Sequence, residues 1–300
     1  MSLQSPTPRV SGFTLVRNAQ ILDFPFFESV ESLLPLVDEL VINCGDSQDE
    51  TQLICKSLAE KHVGKIHILN TVWENKNQSG GFQLKAQSDA AMKACRGQWL
   101  FYIQADEVLH ENDYPQIQTA MAYADEIPEV DGLVFDYLHF YGNYAYTCKG
   151  RNWYRREVRA FKNGRGIESF RDAQGFRKGG QRLQALPSQA RVFHYGYVRP
   201  LASLKTKKQE MSQWWGETPP TETSEVTLSR PIGLTPFRET HPHTMSKKII
   251  NNNSLVDPSR CPRRWNAQEI KNALTLFWEK LVPIRLGEYR NYELLTRHKD

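Results

Sequence analysis

This 300-residue chain has no C-x-x-C pair, no long apolar run, no internal repeat and no low-complexity tract. Each absence removes a class of protein. Without a window near the ~18 apolar residues that a bilayer requires, no spanning helix is expected. Five cysteines, an odd number at Cys44, Cys55, Cys95, Cys148 and Cys261, fit neither a disulfide framework nor a zinc site. They read as reduced thiols. Met1 to Val10 are polar with two prolines and no apolar leader, so the expectation is a cytoplasmic protein. Apolar residues make up 40% of the chain, which is enough for a real core and against global disorder.

Charge is unevenly placed. Residues 1–150 hold 10 Lys+Arg against 20 Asp+Glu, residues 151–210 hold 15 against 4, and residues 211–300 hold 13 against 10. An acidic half joined to a short basic segment suits a site gripping a metal and a polyanion together. It equally describes two faces of one soluble domain, and a basic stripe can serve nucleic acid. No nucleic-acid partner is assigned.

Apolar runs alternate with helical stretches. Phe13-Thr14-Leu15-Val16 reads as a strand ended by Arg17-Asn18, and a helix follows from about Phe26 to Leu34. Asp38 to Asn43 enters a second strand, and Ser47 and Glu50 have capping-box spacing before a helix reaching Lys61. Ile66-His67-Ile68-Leu69 is a third strand. Glu74 to Gly81 reads as a polar loop, and Gln83 to Cys95 as a helix. Trp99 to Ile103, apolar on both faces, then reads as a buried parallel strand that stops at Asp106-Glu107. In an open α/β sheet that edge is where ligands bind. Acids there either meet a divalent metal or an arginine, or cap and charge a following helix.

The run Leu40-Val41-Ile42-Asn43-Cys44-Gly45-Asp46-Ser47-Gln48-Asp49-Glu50-Thr51 resembles the strand-to-helix nucleotide turn of family 2 glycosyltransferases. Gly97 to Glu107 is similar to the strand carrying their D-x-D motif, with Gln104-Ala105-Asp106 in its place. The resemblance covers about residues 11–200. It implies an α/β fold of the GT-A type: a Rossmann-like, mostly parallel sheet with flanking helices, here with a C-terminal helical extension. It also implies a nucleotide-diphosphate sugar donor and a divalent cation, Mn²⁺ or Mg²⁺. By the same resemblance Asp106 touches the cation, and His194, within Val192-Phe193-His194-Tyr195-Gly196-Tyr197-Val198-Arg199, completes its protein ligands.

Three positions depart from the pattern. Asn43 replaces the acid closing the second strand, Gln104 replaces the first acid of D-x-D, and Ser88-Asp89 stand where many relatives carry Arg-Asn. The donor-binding set is expected to be Arg17, Asn43, Asp89, Gln104, Arg177 and Arg199. Arginine forks suit diphosphate oxygens, which singles out Arg171, Arg177 and Arg199. Glu168 to Gly180, rich in glycine and charge, reads as a loop lining the site, and it offers Asp172 as the base of an inverting transfer. Glu168 is the second candidate and Asp136 the reserve. Arg171 and Arg177 are expected to keep Asp172 ionised.

The expected organisation is a catalytic domain over residues 11–210, with the acceptor side at about 132–210, and an extension over 211–300. Thr218-Pro219-Pro220 and Asn251 to Ser254 read as linkers. His241-Pro242-His243 lacks acids at ligand spacing and is not taken as a metal site. Asn266 and Glu269 have N-cap and N3 spacing before Ile270, Ala273, Leu274, Phe277 and Leu281 on one face, with Trp278 widening the stripe and Pro283 ending the helix. With only Lys271 and Lys280 as a cationic face, this stripe is expected to pack on the catalytic domain or on a second subunit as a homodimer rather than on a membrane.

The functional expectation is an inverting, metal-dependent glycosyltransferase with a saccharide or cell-envelope glycan as acceptor. One alternative is a sugar-nucleotide nucleotidyltransferase, against which no glycine-rich loop follows Phe13. Another is a non-catalytic nucleotide- or glycan-binding domain, which Asn43 and Gln104 would suit.

Overall fold

The computed structural model describes residues 9–73, 80–218, 226–252, 254–282, 285 and 288–295. Its first half alternates as the sequence pattern requires: β1 (Val10–Val16), α1 (Phe26–Leu33), β2 (Glu39–Cys44), α2 (Thr51–Lys61), β3 (Ile66–Asn70), α3 (Phe82–Ala94) and β4 (Trp99–Tyr102). These strands pair in parallel in the order β3-β2-β1-β4, with Phe13 opposite Val41 and Tyr102. Every residue of β1, β2 and β4 is buried, because helices cover both faces. Phe13 stacks on Tyr102 with ring centroids 4.9 Å apart, so the two central strands share one aromatic layer. Of the polar loop expected over Glu74–Gly81, residues 74–79 lie outside the described residues.

The chain then continues through β5 (Glu107–Leu109), α4 (Tyr114–Asp125), β6 (Gly132–Tyr141), β7 (Asn143–Cys148), β8 (Arg156–Lys162), β9 (Ile167–Phe170), β10 (Gly175–Lys178) and β11 (Gln181–Tyr197). Beyond β4 the sheet becomes mixed. β8 runs antiparallel to β4 and to β6, while β11 runs parallel to β6. The short β5 lies antiparallel to β11 with Glu107 opposite His194. That register, with Tyr195 N–H donating to the Asp106 carbonyl at 2.8 Å, sets Asp106 beside His194.

The last segment forms α5 (Leu201–Trp215), β12 (Leu234–Pro236), α6 (Ser246–Asn251), α7 (Ala267–Leu281) and β13 (Tyr292–Leu294). α5 crosses residue 210, and β12 and β13 pair with β7 and β11, so the tail is woven onto the sheet. Asn266 caps α7 as expected, its Oδ1 accepting from Glu269 N–H at 2.8 Å. Pro219, Pro220, Asn253 and Pro283 lie outside the described residues.

Three local expectations are corrected. Asp49, rather than Ser47 with Glu50, opens α2: its Oδ1 accepts from Thr51 N–H at 3.0 Å, while Ser47 Oγ accepts from Asn18 N–H at 3.1 Å. Asp106-Glu107 cap no helix, because the chain goes straight into β5. Residues 168–180 are a β9–β10 hairpin rather than a loop, and only its turn at Arg171–Gln174 departs from the ladder. Arg171 and Ala173 take φ of 55° and 60° there, and the Asp172 backbone packs so closely on Gly81 that a Cβ at 81 would lie 2.8 Å from Asp172 Cα.

Candidate active site

A cleft of about 210 Å³ opens at the C-terminal ends of β1 and β4. Arg17 and Gln104 enter it from those strand ends, Asp172 from the hairpin turn, and Lys207, Glu210 and Trp214 from α5. Trp73 faces Trp214 with centroids 5.8 Å apart. Gly45 allows that arrangement, since a Cβ there would lie 2.7 Å from Trp73 Nε1. Among the described residues the buried indole N–H of Trp73 meets no hydrogen-bond acceptor.

Asp106 is the electrostatic centre. Lys207 Nζ donates to its Oδ2 at 2.9 Å, and Arg199 Nη2 lies 3.6 Å from the same oxygen. Burial favours the neutral acid, but the cations Lys207 and Arg199 hold Asp106 well below the usual carboxylate range. Burial and Arg199 bring Lys207 down to about 8 against the pull of Asp106. Arg199 is fully buried and donates from Nη1 to the Leu22 carbonyl; among the described residues its Nε and Nη2 make no hydrogen bond, Nη2 having only the longer ion pair with Asp106. Buried unpaired guanidinium N–H groups are costly unless an anion arrives.

Opposite the other oxygen, His194 Nε2 lies 3.8 Å from Asp106 Oδ1. Its tautomer follows from a relay. His139 Nε2 must donate to the Tyr154 carbonyl at 2.6 Å, so the Nδ1 of a neutral His139 accepts from His194 Nδ1–H at 2.9 Å. Burial lowers His139 to about 4 and pushes His194 well below the ordinary imidazole value, so both rings are neutral. His194 Nε2 is therefore left as a bare lone pair facing Asp106. Gly196 keeps the space between them clear: a Cβ there would lie 2.7 Å from His194 Nε2 and 3.2 Å from Asp106 Oδ2.

These two donors suit a divalent cation. One carboxylate oxygen and one oriented imidazole nitrogen is a protein contribution that substrate phosphates can complete. Among the described residues no group of three His, Cys, Asp or Glu gathers to hold a metal. The remaining ligands would therefore come from the bound molecule and water.

Glu107 supports the site from behind. Fully buried, it takes two hydrogen bonds from Arg159, at 2.7 and 2.9 Å, and one from Tyr137 Oη at 2.7 Å. Its Oε2 also accepts from Gln104 N–H at 3.1 Å, which fixes the turn presenting Asp106.

The structure brings Arg17, Gln104, Asp106, Asp172 and His194 to one cleft and sets Arg199 against Asp106. The other expected site residues do not line the cleft. Asn43 is buried, with its amide donating to Gln87 and its carbonyl accepting from Thr71 Oγ1 at 2.6 Å. Asp89 pairs with Lys85 and accepts from Ser169 N–H at 2.8 Å, pinning α3 to β9. Arg177 donates to the Asn291 carbonyl at 3.0 Å and stacks over Phe170, because its β10 position faces the tail. Glu168 is 71% exposed and meets Lys85 at 3.2 Å. Asp136 pairs with Arg156 on the neighbouring strand. Nor do arginines hold Asp172 ionised: burial outweighs Arg159 and Arg171, so its pKa is raised. His241 is structural, held between Tyr195 Oη at 2.8 Å and the Tyr144 carbonyl at 3.1 Å.

Sequence reasoning missed Lys207, Trp73, Trp214, His139 and Arg159. His139 and Arg159 had a signal, as polar residues inside otherwise apolar strands. Lys207 had none, being one of three lysines close together in α5.

No family model and no curated protein matches this chain. Parts of it are similar to solved structures. TarS 1–349 from S. aureus aligns over 44% of this chain and 36% of that one, at 19% identity and a TM-score of 0.31. The same fragment in complex with UDP-GlcNAc aligns over 44% and 34%, at 20% identity and 0.31. The mannosyltransferase PcManGT from Pyrobaculum calidifontis, in complex with GDP-Man and Mn²⁺, aligns over 54% and 46%, at 14% identity and 0.36. The chain thus spans about a third to a half of the length of these proteins. These likenesses are partial, and the chemistry of this chain follows from its own cleft.

Proposed function

We propose that this protein is an inverting glycosyltransferase that takes its sugar from a nucleotide-diphosphate donor and passes it to a saccharide hydroxyl, such as one on a cell-envelope glycan. The observation that carries the reading is the pairing of Asp106 Oδ1 with the bare His194 Nε2 beside Lys207 and the unsatisfied Arg199. Cations of this kind favour an anionic diphosphate. The indoles of Trp73 and Trp214, set edge to face, give the cleft an aromatic lining against which a base can pack. The likeness of Gly97 to Glu107 to a D-x-D strand points the same way.

Asp106 and His194 would hold Mn²⁺ or Mg²⁺, which when bound supplies positive charge to the diphosphate. Lys207 and Arg199 add fixed charge where the leaving phosphate gathers negative charge as the bond to the anomeric carbon breaks. The acceptor hydroxyl forms the new bond from the opposite side of the sugar and gives its proton to Asp172. A raised pKa suits that role, since a base poised nearer neutrality takes a proton more readily.

Thermal-shift and calorimetric titrations with UDP and GDP, each with and without Mn²⁺, test the reading. Stabilisation that needs both nucleotide and cation, and that Asp106→Ala removes while the protein stays folded, is the expected result. Equal nucleotide binding by wild type and variant, with or without metal, overturns it.

A further inference from the structure

α7 is mounted the wrong way round for a helix of this domain. Its inward face is polar: Asn272 is buried, Gln268 Nε2 donates to Asn152 Oδ1 at 2.9 Å, and Glu279 meets Arg151 at 2.8 Å and Arg285 at 3.1 Å. Its outward face carries the apolar stripe. Ile270 is 50% exposed, Leu274 66%, Phe277 65%, Trp278 47% and Leu281 65%, with Trp265 at 62% just before the helix. The expectation that this stripe packs on the catalytic domain is thereby overturned: ion pairs and amides, together with Leu276 against Gly150 and Gly233, fix α7 to the body and leave the stripe outside. A contiguous apolar patch on a single helix marks a docking surface.

Charge selects the partner. Arg263 and Arg264 stand beside Trp265 at the start of the helix, Arg264 donating to Thr227 Oγ1, while Arg260 is paired with Asp257 at 3.3 Å and Lys271 lines the body side of α7; the acids of the helix are Glu269 and Glu279. Both acids are occupied by the body: Glu279 by its arginines, and Glu269 by Ile232 N–H at 2.9 Å. The surplus around the stripe is cationic, and Arg263 lies over the exposed Trp265 ring. A second copy fits this poorly. A parallel pair of α7 helices sets the Arg263-Arg264 of one copy against those of the other. No described helix is long and apolar enough to cross a membrane. An apolar stripe ended by tryptophans and flanked by cations is the pattern of a helix lying in a bilayer interface.

We propose that the Trp265–Leu281 face docks the protein onto an anionic lipid bilayer, independently of the donor reading. Cosedimentation of the full chain with phosphatidylcholine vesicles, with and without phosphatidylglycerol, tests it, alongside light scattering for the oligomeric state. Partition onto the anionic vesicles is expected to be at least about tenfold stronger and to weaken with salt. Leu274→Glu/Phe277→Glu should abolish it with an unchanged melting temperature, since both side chains already face solvent. Arg263→Ser/Arg264→Ser should weaken binding to anionic vesicles and flatten the salt dependence. Absence of wild-type binding to anionic vesicles overturns the proposal, as does undiminished binding by the Leu274→Glu/Phe277→Glu variant. So does a dimer that this variant dissociates while neither protein binds vesicles.

Discussion

Lys207 Nζ sits 2.9 Å from Asp106 Oδ2, so the carboxylate that faces His194 already carries a cation on its other oxygen. Oδ1 alone is left toward the imidazole. If the ammonium also reads the diphosphate, Lys207→Met, which keeps an unbranched stem, should weaken UDP or GDP binding by roughly ten- to a hundredfold, the worth of one charge-assisted hydrogen bond. Calorimetry with Mn²⁺ present measures this. Unaltered affinity removes Lys207 from the donor site.

Both side chains of the Arg159–Glu107 pair are fully excluded from solvent, so the pair is costly to break. Arg159→Met leaves Glu107 with Tyr137 Oη and Gln104 N–H alone. Such an uncompensated buried charge should cost about 3–5 kcal/mol in urea denaturation. Adding Glu107→Gln should return much of that loss, because the unpaired charge is then gone. A double variant no more stable than the single one argues against the pair as the source.

Glu157 gives the folded state a pH dependence of its own. It is buried, accepts from Asn291 and Gln174 amides, and burial raises its pKa from 4.5 to about 7 despite Arg159. The folded state therefore keeps a proton between those values that the unfolded chain has released. Its contribution is fully present below about 4.5 and lost as pH rises through about 7, a change of about 3 kcal/mol in the limit of complete burial. Denaturation midpoints measured across that window should fall more steeply for wild type than for Glu157→Gln, which keeps an acceptor for both amides and cannot titrate. Parallel curves for the two proteins would show that Glu157 titrates normally.

The parallel half of the fold was legible because its signal is local. β1, β2 and β4 are apolar on both faces, and α1, α2 and α3 fill the intervals between strands. Asp106 and His194 were singled out by the resemblance of their two segments to a known family, and the β5–β11 register brings them side by side. What could not be read was register. Nothing local shows that β5 pairs with β11, or that β10 turns Arg177 toward Asn291. Asn43 looked like a ligand contact from its place at the end of β2, yet α3 and Thr71 consume its amide. The apolar stripe of α7 was read correctly as a helix face, and of the two partners expected for it, the body or a second subunit, the structure rules out the body. Periodicity gives a face its composition, and only the tertiary partners decide which face turns inward.

Asp172 is the residue on which the proposed mechanism can most directly fail. The turn at Arg171–Gln174 presses it against Gly81 and carries it into the cleft that holds Asp106 and Gln104. Asp172→Asn is a clean test. An asparagine Oδ1 still accepts from Gln174 N–H, the contact Asp172 makes at 3.3 Å, and the backbone packing on Gly81 needs no charge. The variant should therefore fold and bind donor as wild type does, while kcat drops by roughly two to four orders of magnitude and KM for the donor holds. Glu168→Gln is the control, because that side chain is largely exposed and its ion-pair partner is Lys85, so transfer should stay near normal. Near-normal turnover by Asp172→Asn with a collapse in Glu168→Gln would exchange the two assignments. Loss of folding in Asp172→Asn would instead make the carboxylate a structural partner of the turn, and the base would have to be sought elsewhere among the side chains lining the cleft.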